Sequence, residues 1–467
     1  MSYRKPSLLP FACILLFVIL AGPSRPAAAQ EMMPDSTAAD SLAAGDYSYR
    51  SIRGFERNEH KTGRAFLKTV NALLWPPRAL IDLTLTSAGF SAVLIDEKKI
   101  IKKFEDIFYL YDHKFGWFPV LNIVTGNPRG VGLSFFYREK YFGAGIKGAY
   151  NNTDIWGIKG ELSHVFFRNR YFWNLELIGR LQNDDNFRFY GIGADPQNDP
   201  RSHFRPESSS DYGIYSQRRA LINLNLGVRP SGNWEFFFSS FYQKRTVRNP
   251  SAAHAANIDN IFLSDSLPGA QIKSKKFYNE LSFRFDNRPN LSIISPGTRF
   301  EAYLGYSVGF KNDNEQLLRS GFDFSTYIPV LRRNRVIIPR IVFDMVEDLR
   351  EGEQIAFVEY PRHISFRGVN DKTLLRSDNY MLVPSLEYQW PLTYHISAHL
   401  FADYLMVSDT PLGFETTNAP WAVGFGMAAH TRFSELMRMN IAYGSEGIFL
   451  KFSFGLSFLY KDRSDWK

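Results

Sequence analysis

Residues Ile448–Lys461, with the sequence IFLKFSFGLSFLYK, show the pattern that decides the fold. The even positions of this stretch are all apolar: Ile448, Leu450, Phe452, Phe454, Leu456, Phe458 and Tyr460. The odd positions include small or polar residues: Lys451, Ser453, Gly455, Ser457 and Lys461. Because successive side chains of a β-strand point to opposite faces, this period of two predicts a strand with one apolar and one polar face.

The same alternation recurs over residues 116–460. Residues 300–311 repeat it, with apolar residues at the even positions and Glu301, Ser307 and Lys311 among the odd ones. A soluble β-sandwich also alternates, but these segments are numerous and their apolar faces are crowded with Phe and Tyr. Such strands, about ten residues long, are typical of outer-membrane barrels. We therefore expect an all-β transmembrane fold, an antiparallel outer-membrane β-barrel of about 16 strands with a short helical N-terminal segment.

The composition of the 467-residue chain, with 16% aromatic residues, excludes a disordered protein. Residues 1–29 resemble a secretory signal peptide, because a charged start precedes a short apolar core and three alanines. The single cysteine, Cys13, lies in that core, so the mature chain is expected to lack disulfides and thiolate metal sites. Removing the three basic residues of this peptide lowers the net charge from +8 to +5. This modest charge on an exported chain argues against nucleic-acid binding.

The remaining segments complete the predicted domain organisation. Residues 30–115 are a polar lead-in followed by short amphipathic helices, and residues 461–467 are a C-terminal extension. Two stretches rich in Asp, Asn, Ser and Pro, Gly193–Tyr212 and Asn249–Lys275, are expected to be long surface loops on one side of the barrel.

Two short motifs imitate catalytic or cofactor sites. Gly143–Gly148 is a literal GxGxxG and Gly305–Gly309 a literal GxSxG, but both lie within alternating segments rather than at strand-to-helix turns. The sequence has no HExxH, paired Cys/His ligands or Walker loop. We therefore expect no cofactor, no metal and no enzymatic activity. A lipid hydrolase using Ser307, with His399 and Asp403 on a polar face, is a less favoured alternative.

Two acids stand out on the polar face of a predicted hairpin formed by residues 380–392 and 396–407. An acid facing lipid is costly, so Glu387 and Asp403 are expected to face the lumen on adjacent strands. Just upstream, Gly368 allows a tight bend that would aim Arg367 back at these acids. The planar guanidinium of an arginine suits bidentate pairing with carboxylates. A solvated loop arginine beside unrelated acids is the alternative.

These residues carry a resemblance to a known family. Phe366-Arg367-Gly368 resembles the V/F-R-G-F/Y motif on the inward-folding sixth loop of the bacterial surface antigen family, the BamA/TamA-like barrels. Residues 379–391 are similar to the family's next strand, which ends in an acid and an apolar-Pro pair, and Phe401-Ala-Asp403 to the F-x-D-x-G strand after it. The resemblance implies that Arg367 pairs with Glu387 and Asp403 and holds the loop in the lumen.

Three further matches follow the family's order. Asp286-Asn-Arg288 with Ser295-Pro-Gly297 resembles a D-x-R…P-x-G stretch, and Tyr190-Gly-Ile-Gly193 resembles a Y-G-x-G motif. The third match is the C-terminal recognition signal of outer-membrane barrels, carried by Ser453, Gly455, Phe458 and Tyr460.

The sequence also departs from the family pattern. Val369 replaces an aromatic residue and Leu405 a glycine. Residues 30–115 leave room for one POTRA module at most and have a helical pattern, so the chain resembles a member without these modules.

The resemblance implies a function as well as a fold. It points to a Sec-exported, monomeric, integral outer-membrane barrel that contacts the lipid bilayer. Such a barrel assists the insertion or translocation of proteins, with nascent barrels or exported proteins as clients. The alternative from the residues themselves is a passive pore whose lumen is biased towards anions by Lys147, Lys451 and Lys461.

Overall fold

The computed structural model describes most of the predicted barrel. The described residues are 109–110, 114–122, 130–139, 141–168, 171–208, 210–251, 255–288, 294–310, 316–330, 332–350, 355–369, 373–392, 396–430 and 435–454. The predicted signal peptide and the predicted N-terminal helices up to residue 108 lie outside them. So do Gly455, Phe458 and Tyr460 of the C-terminal signal and the extension at 461–467.

Nineteen strands occur in the described residues, and sixteen of them are eight or more residues long. The strands are β1 (Tyr109–Leu110), β2 (Phe115–Asn122), β3 (Gly130–Arg138), β4 (Phe142–Asn152), β5 (Ile155–Arg168), β6 (Tyr171–Phe189), β7 (Gly213–Ser231), β8 (Trp234–Arg248), β9 (Lys273–Asp286), β10 (Gly297–Gly309), β11 (Leu317–Val330), β12 (Arg332–Asp348), β13 (Thr373–Leu374), β14 (Tyr380–Pro391), β15 (Ile396–Tyr404), β16 (Met406–Ser408), β17 (Trp421–His430), β18 (Glu435–Gly444) and β19 (Gly447–Phe454). The expected class, an almost entirely antiparallel β-fold of about sixteen strands, is confirmed.

The long strands form one meander, in which each pairs antiparallel with the next long strand along the chain. Within the described residues, no ladder joins β1 or β2 to β19. The sheet also begins earlier than the expected boundary at residue 116. Tyr109 pairs with Gly116 and Leu110 with Phe115, although the apolar spacing had indicated helix up to about Asp112. These two residues are strand because they form a hairpin with the start of β2.

The two faces of the curled sheet invert the arrangement of a water-soluble protein. Its convex face exposes large apolar side chains, including Ile146, Ile158, Leu177, Ile222, Phe236, Leu281, Ile341, Leu386, Val423 and Leu450. Its concave face buries polar side chains, including Asn223, Ser239, Gln243, Glu280, Ser307, His399 and Asn440. An apolar exterior around a polar interior is the arrangement that a lipid surrounding requires.

The strand connections differ in length at the two ends of the sheet. Four long connections lie at one end, which we call the long-loop end: residues 190–212, 249–272, 349–379 and 409–420. Lys273–Lys275, expected in the second loop, instead begin β9, because they pair with Lys244–Thr246 of β8. Among the described residues of these connections, the α-helical part is the single turn Ile258–Ile261. No helix in the described part of the chain has the length and apolar character needed to cross a membrane.

The inverted faces predict an unusual response to mutation. Leu281 is 64% exposed near the middle of the apolar band on β9, and an arginine there would normally be harmless on a protein surface. In lipid vesicles, Leu281→Arg should instead lower the free energy of unfolding by about 2–4 kcal/mol, since lipid does not solvate the charge. The matched control is Leu412→Arg in the 409–420 connection, where Leu412 is 79% exposed. Urea titrations followed by tryptophan fluorescence measure both, and equal effects of the two changes would contradict a lipid-facing convex surface.

Candidate functional site: an inward-folded connection

The sixth connection at the long-loop end folds back into the concave face of the sheet. It joins β12 to β14, and we call its residues 355–379 the inward segment, of which 370–372 lie outside the described residues. Its side chains and backbone contact the concave faces of β6, β8, β9, β11, β14 and β15. Because these strands surround it, the concave face encloses a lumen that the inward segment occupies.

Arg367 is at the centre of the first contact between the inward segment and the wall. Its Nε and Nη2 donate to the two carboxylate oxygens of Asp403 on β15, at 2.7 and 2.6 Å. Its Nη1 donates to Oε2 of Glu387 on β14 at 2.5 Å, and its backbone amide donates to Asp403 at 3.1 Å. Ser385 is the register partner of Asp403, so the two acids lie diagonally across one strand pair. The structure therefore brings together the three residues that the sequence singled out.

Neighbouring side chains fix the orientation of the Arg367 guanidinium. The guanidinium carbon of Arg367 lies 3.7 Å from the ring centroid of Phe401, where a cation–π attraction stabilises it. Arg438 on β18 donates to the second oxygen of Glu387 at 3.2 Å, so this carboxylate joins three elements. His399 is fully buried and its Nε2 lies 2.6 Å from Oδ1 of Asn440. Neither Arg438 nor Asn440 was predicted from the sequence to belong to this site.

Apolar packing holds the turn that carries Arg367. Phe366 is fully buried, and Val369 and Leu405, which depart from the family pattern, are buried in the same cluster. Gly368 lies in the turn as expected, but its φ is not positive. A Cβ at this position would lie 2.6 Å from the Phe366 ring and 2.8 Å from Cβ of Ala422 on β17. The glycine is therefore needed because the backbone approaches the wall closely.

A second ion cluster, centred on Glu359, was not found from the sequence. The Glu359 side chain is completely buried and lies among three cations of the wall: Arg245 on β8, Lys276 on β9 and Arg319 on β11. Arg245 Nη1 and Arg319 Nη2 donate to its carboxylate at 2.5 and 2.6 Å, and Lys276 Nζ donates to it as well. Arg245 and Arg319 also bind the carbonyls of Val358 and Glu359.

Electrostatics in this part of the inward segment depend on burial and on these cations. Burial opposes the ionisation of Glu359, but the attraction of Arg245, Lys276 and Arg319 outweighs it and holds the pKa of this carboxyl well below its usual range. Burial lowers the pKa of His363, four residues further along, to about 4. Glu359 is therefore an anion and His363 is neutral at neutral pH.

The third contact fixes the end of the inward segment. β13 pairs with the end of β6 in parallel, and the chain then runs beside Gly191 and Gly193 of the 190–212 connection. Both glycines have positive φ, of 98° and 88°, which explains the repeated glycine of the Tyr190–Gly193 motif. Arg201 then holds Asp378 through two hydrogen bonds, at 3.1 and 2.9 Å.

Two other predicted features lie away from this site. The Asp286–Arg288 motif lies at the end of β9 and Gly297 at the start of β10, and Arg288 binds Asp286 at 2.9 and 2.7 Å and stacks on Tyr327. Ser453 of the C-terminal signal is in β19, where it pairs with Arg438 in register.

The GxGxxG and GxSxG motifs do not lie at the strand-to-helix turns that a cofactor site or a nucleophile would need. Gly143–Gly148 lies inside β4, and Ser307 lies inside β10 between Tyr278 and Leu317 of the neighbouring strands. Among the described residues, no group of three His, Cys, Asp or Glu side chains is arranged to hold a metal ion.

The Arg367 contact predicts the effect of its removal. Arg367→Ala leaves the buried Asp403 carboxylate without its bidentate partner and should lower the free energy of unfolding by about 3 kcal/mol. Arg340→Ala is a matched control, because Arg340 pairs with Asp323 within the wall and not with the inward segment. Limited proteolysis separates the two, since the arginine-to-alanine change at 367 should expose residues 355–379 to cleavage and the change at 340 should not. Equal protection of this segment in both variants would contradict an anchoring role for Arg367.

Comparisons with known proteins give only distant similarities. No family model and no curated protein matches the sequence. Among solved structures, the chain is similar to BamA from Haemophilus ducreyi lacking POTRA domains 1–3, with a TM-score of 0.46 and 13% identity, covering 72% of this chain and 68% of that chain. It is also similar to CdiB from Acinetobacter baumannii, with a TM-score of 0.41 and 10% identity, covering 69% of this chain and 55% of that chain, or about half of its length. Neither similarity assigns an activity to this chain.

Proposed function

We propose that this chain is an outer-membrane barrel that assists the insertion or translocation of other proteins. The observation that carries the proposal is the inward segment, which Arg367 ties to Glu387 and Asp403 in the lumen. The family resemblance assigns this role to these three residues, and the motifs that carry the resemblance follow the family's order along the chain. The apolar convex face supports a position within the bilayer.

In the proposed mechanism, the barrel opens between its first and last strands. Backbone groups at an open sheet edge pair readily with another strand, so the edge offers a template to a client that has not yet folded. Opening also thins the bilayer locally, which lowers the barrier to inserting a further barrel. Arg367, Glu387 and Asp403 are structural anchors that keep the lumen ordered while the seam moves, and they are not catalysts.

A passive anion pore is the competing function, and one observation favours it. Lys147, Lys159 and Arg180 face each other on neighbouring strands of the luminal wall. Such a row of cations would attract anions. The inward segment and the connections packed on it occupy the lumen at the long-loop end, however, and this supports the assembly function over a passive pore. We do not propose the lipid hydrolase, because His399 lies beside Asn440 and not beside Ser307.

Depletion of the protein in cells tests the proposal directly. Quantitative proteomics of the outer membrane should show that several other barrel proteins fall together when this chain is depleted. The wild-type chain and Arg340→Ala should restore their levels, and Arg367→Ala should restore them less, because its inward segment is held less tightly. If only the depleted chain itself changes in abundance, the proposed assembly function is wrong.

Conductance of the purified chain in planar bilayers tests the competing pore. A steady anion-selective current that Lys147→Gln and Lys159→Gln reduce would support the pore. Silent bilayers would argue against it.

A further inference from the structure

One area of the convex face is buried, although this face elsewhere exposes its apolar side chains. Trp390 on β14 and Ala398 on β15 are completely buried, and Tyr388 is only 5% exposed. Six apolar residues of β12, β14, β15 and the turn between the last two form what we call the covered patch: Ile337, Tyr388, Trp390, Leu392, Ala398 and Leu400.

The strand pattern places the covered patch on the convex face. Side chains two residues apart on a strand share a face, so Tyr388 and Trp390 share the face of Leu386, which is 54% exposed. Glu387 points the other way and binds Arg367 in the lumen. The described ladders of β14 with β12 and β15 run through these residues without a register shift. The burial of Trp390 is therefore an exception on its own face.

Neighbours on the same face do not account for this burial. Trp234 on β8 contacts the rings of Phe283 and Phe285, at centroid distances of 5.1 and 4.6 Å, and is 36% exposed. Trp390 stacks on Tyr388 at 5.3 Å and lies opposite an alanine, yet it is completely buried. Lateral neighbours shield the sides of an indole ring and leave its tip open. Another part of this chain must therefore lie over Trp390.

The covered patch lies at the end of the sheet opposite the long-loop end, which we call the short-turn end. β14 ends there at Pro391, and β15 begins there at Ile396. The described chain also starts at the short-turn end, where Leu110 of β1 pairs with Phe115 at the start of β2. Residues 63–108 therefore join the sheet at the same end as the covered patch.

Residues 63–108 have the length and the apolar pattern that a cover needs. As helices they would span roughly 70 Å, more than the roughly 53 Å that separates β2 from β14 along the sheet. They carry two apolar stripes at helical spacing: Phe66, Val70, Leu73 and Leu74, and then Ile100, Phe104, Ile107 and Phe108. The C-terminal residues 461–467 also follow a strand that ends at the short-turn end, but they are mostly charged.

We propose that the N-terminal segment, residues 63–108, packs an apolar stripe onto the covered patch and is thereby fixed to the outer wall at the short-turn end. An amphipathic helix suits this position, because its apolar face contacts the wall and the acyl chains while its polar face contacts headgroups and water. The covered strands β14 and β15 carry Glu387 and Asp403, so they are held by the inward segment on one face and by the N-terminal segment on the other. This inference does not depend on the proposed assembly function.

Photo-crosslinking of the full chain in lipid nanodiscs tests the contact. The photoreactive residue p-benzoylphenylalanine replaces Trp390, or Leu392 in a second variant that keeps the buried tryptophan. The matched control carries the same residue in place of Leu386, which lies on the same face of β14 and is exposed. Mass spectrometry of tryptic peptides then identifies what each probe has reached.

The probes at positions 390 and 392 should crosslink to peptides within residues 63–108, and the probe at position 386 should crosslink to lipid. Crosslinks from 390 and 392 to any other part of the chain, to a second copy or to lipid alone would overturn the proposal.

A further pair of variants tests the apolar stripes with the probe at position 392. The stripe variant has aspartate in place of four apolar residues: Phe66, Val70, Phe104 and Ile107. Its crosslinking yield should fall about tenfold or more, because a carboxylate would have to be buried against apolar side chains. The matched control, Lys68→Asp with Lys102→Asp, changes the net charge equally on the opposite faces of the predicted helices and should keep the yield. Equal yields in the two variants would also overturn the proposal.

Discussion

The rest of the structure depends on one buried carboxylate and its three cations. Glu359 is completely buried between Arg245, Lys276 and Arg319, which belong to three strands of the wall. Moving any of these charges out of water is expensive, and only their mutual pairing compensates for it. Without the inward segment, these three cations of β8, β9 and β11 would face the lumen without the carboxylate of Glu359. Pairing with Glu359 therefore stabilises the wall and the inward segment together.

The need of buried charges for partners also explains why the inward segment fills the polar interior. Lipid around the convex face would force polar side chains to the concave face, where each needs a polar partner. The inward segment pairs with the wall through Glu359 and Arg367, and with Arg201 of the 190–212 connection through Asp378. Loss of one contact should therefore loosen the segment and expose it to proteases, although the other two contacts remain.

The strands and the polar face of the sheet could be predicted from the sequence, because an alternation of apolar and polar residues with a period of two shows which side chains share a face. It indicated a strand over Ile448–Lys461, whose described part up to Phe454 lies in β19, and it placed Glu387 and Asp403 on the polar face, where both are buried. Glu359 could not be found this way, since it lies in a stretch without periodicity and one partner is 114 residues away. The sequence signal that could have led to Glu359 was on the wall. Arg245, Lys276 and Arg319 occupy inward positions there, and buried cations need an acidic partner. The strand Tyr109–Leu110 was not predicted, because a strand of two residues is too short to show an alternating pattern.

Hydrogen–deuterium exchange of the inward segment in lipid tests the central claim most directly. Glu359→Gln keeps the shape of the side chain and removes its charge. The backbone amides of residues 357–366 should then exchange roughly a hundredfold faster, corresponding to about 3 kcal/mol lost from local stability. Glu139→Gln, which breaks an exposed pair with Lys114, should leave them unchanged. Unchanged exchange in Glu359→Gln would contradict the claim that this buried charge holds the segment in the lumen.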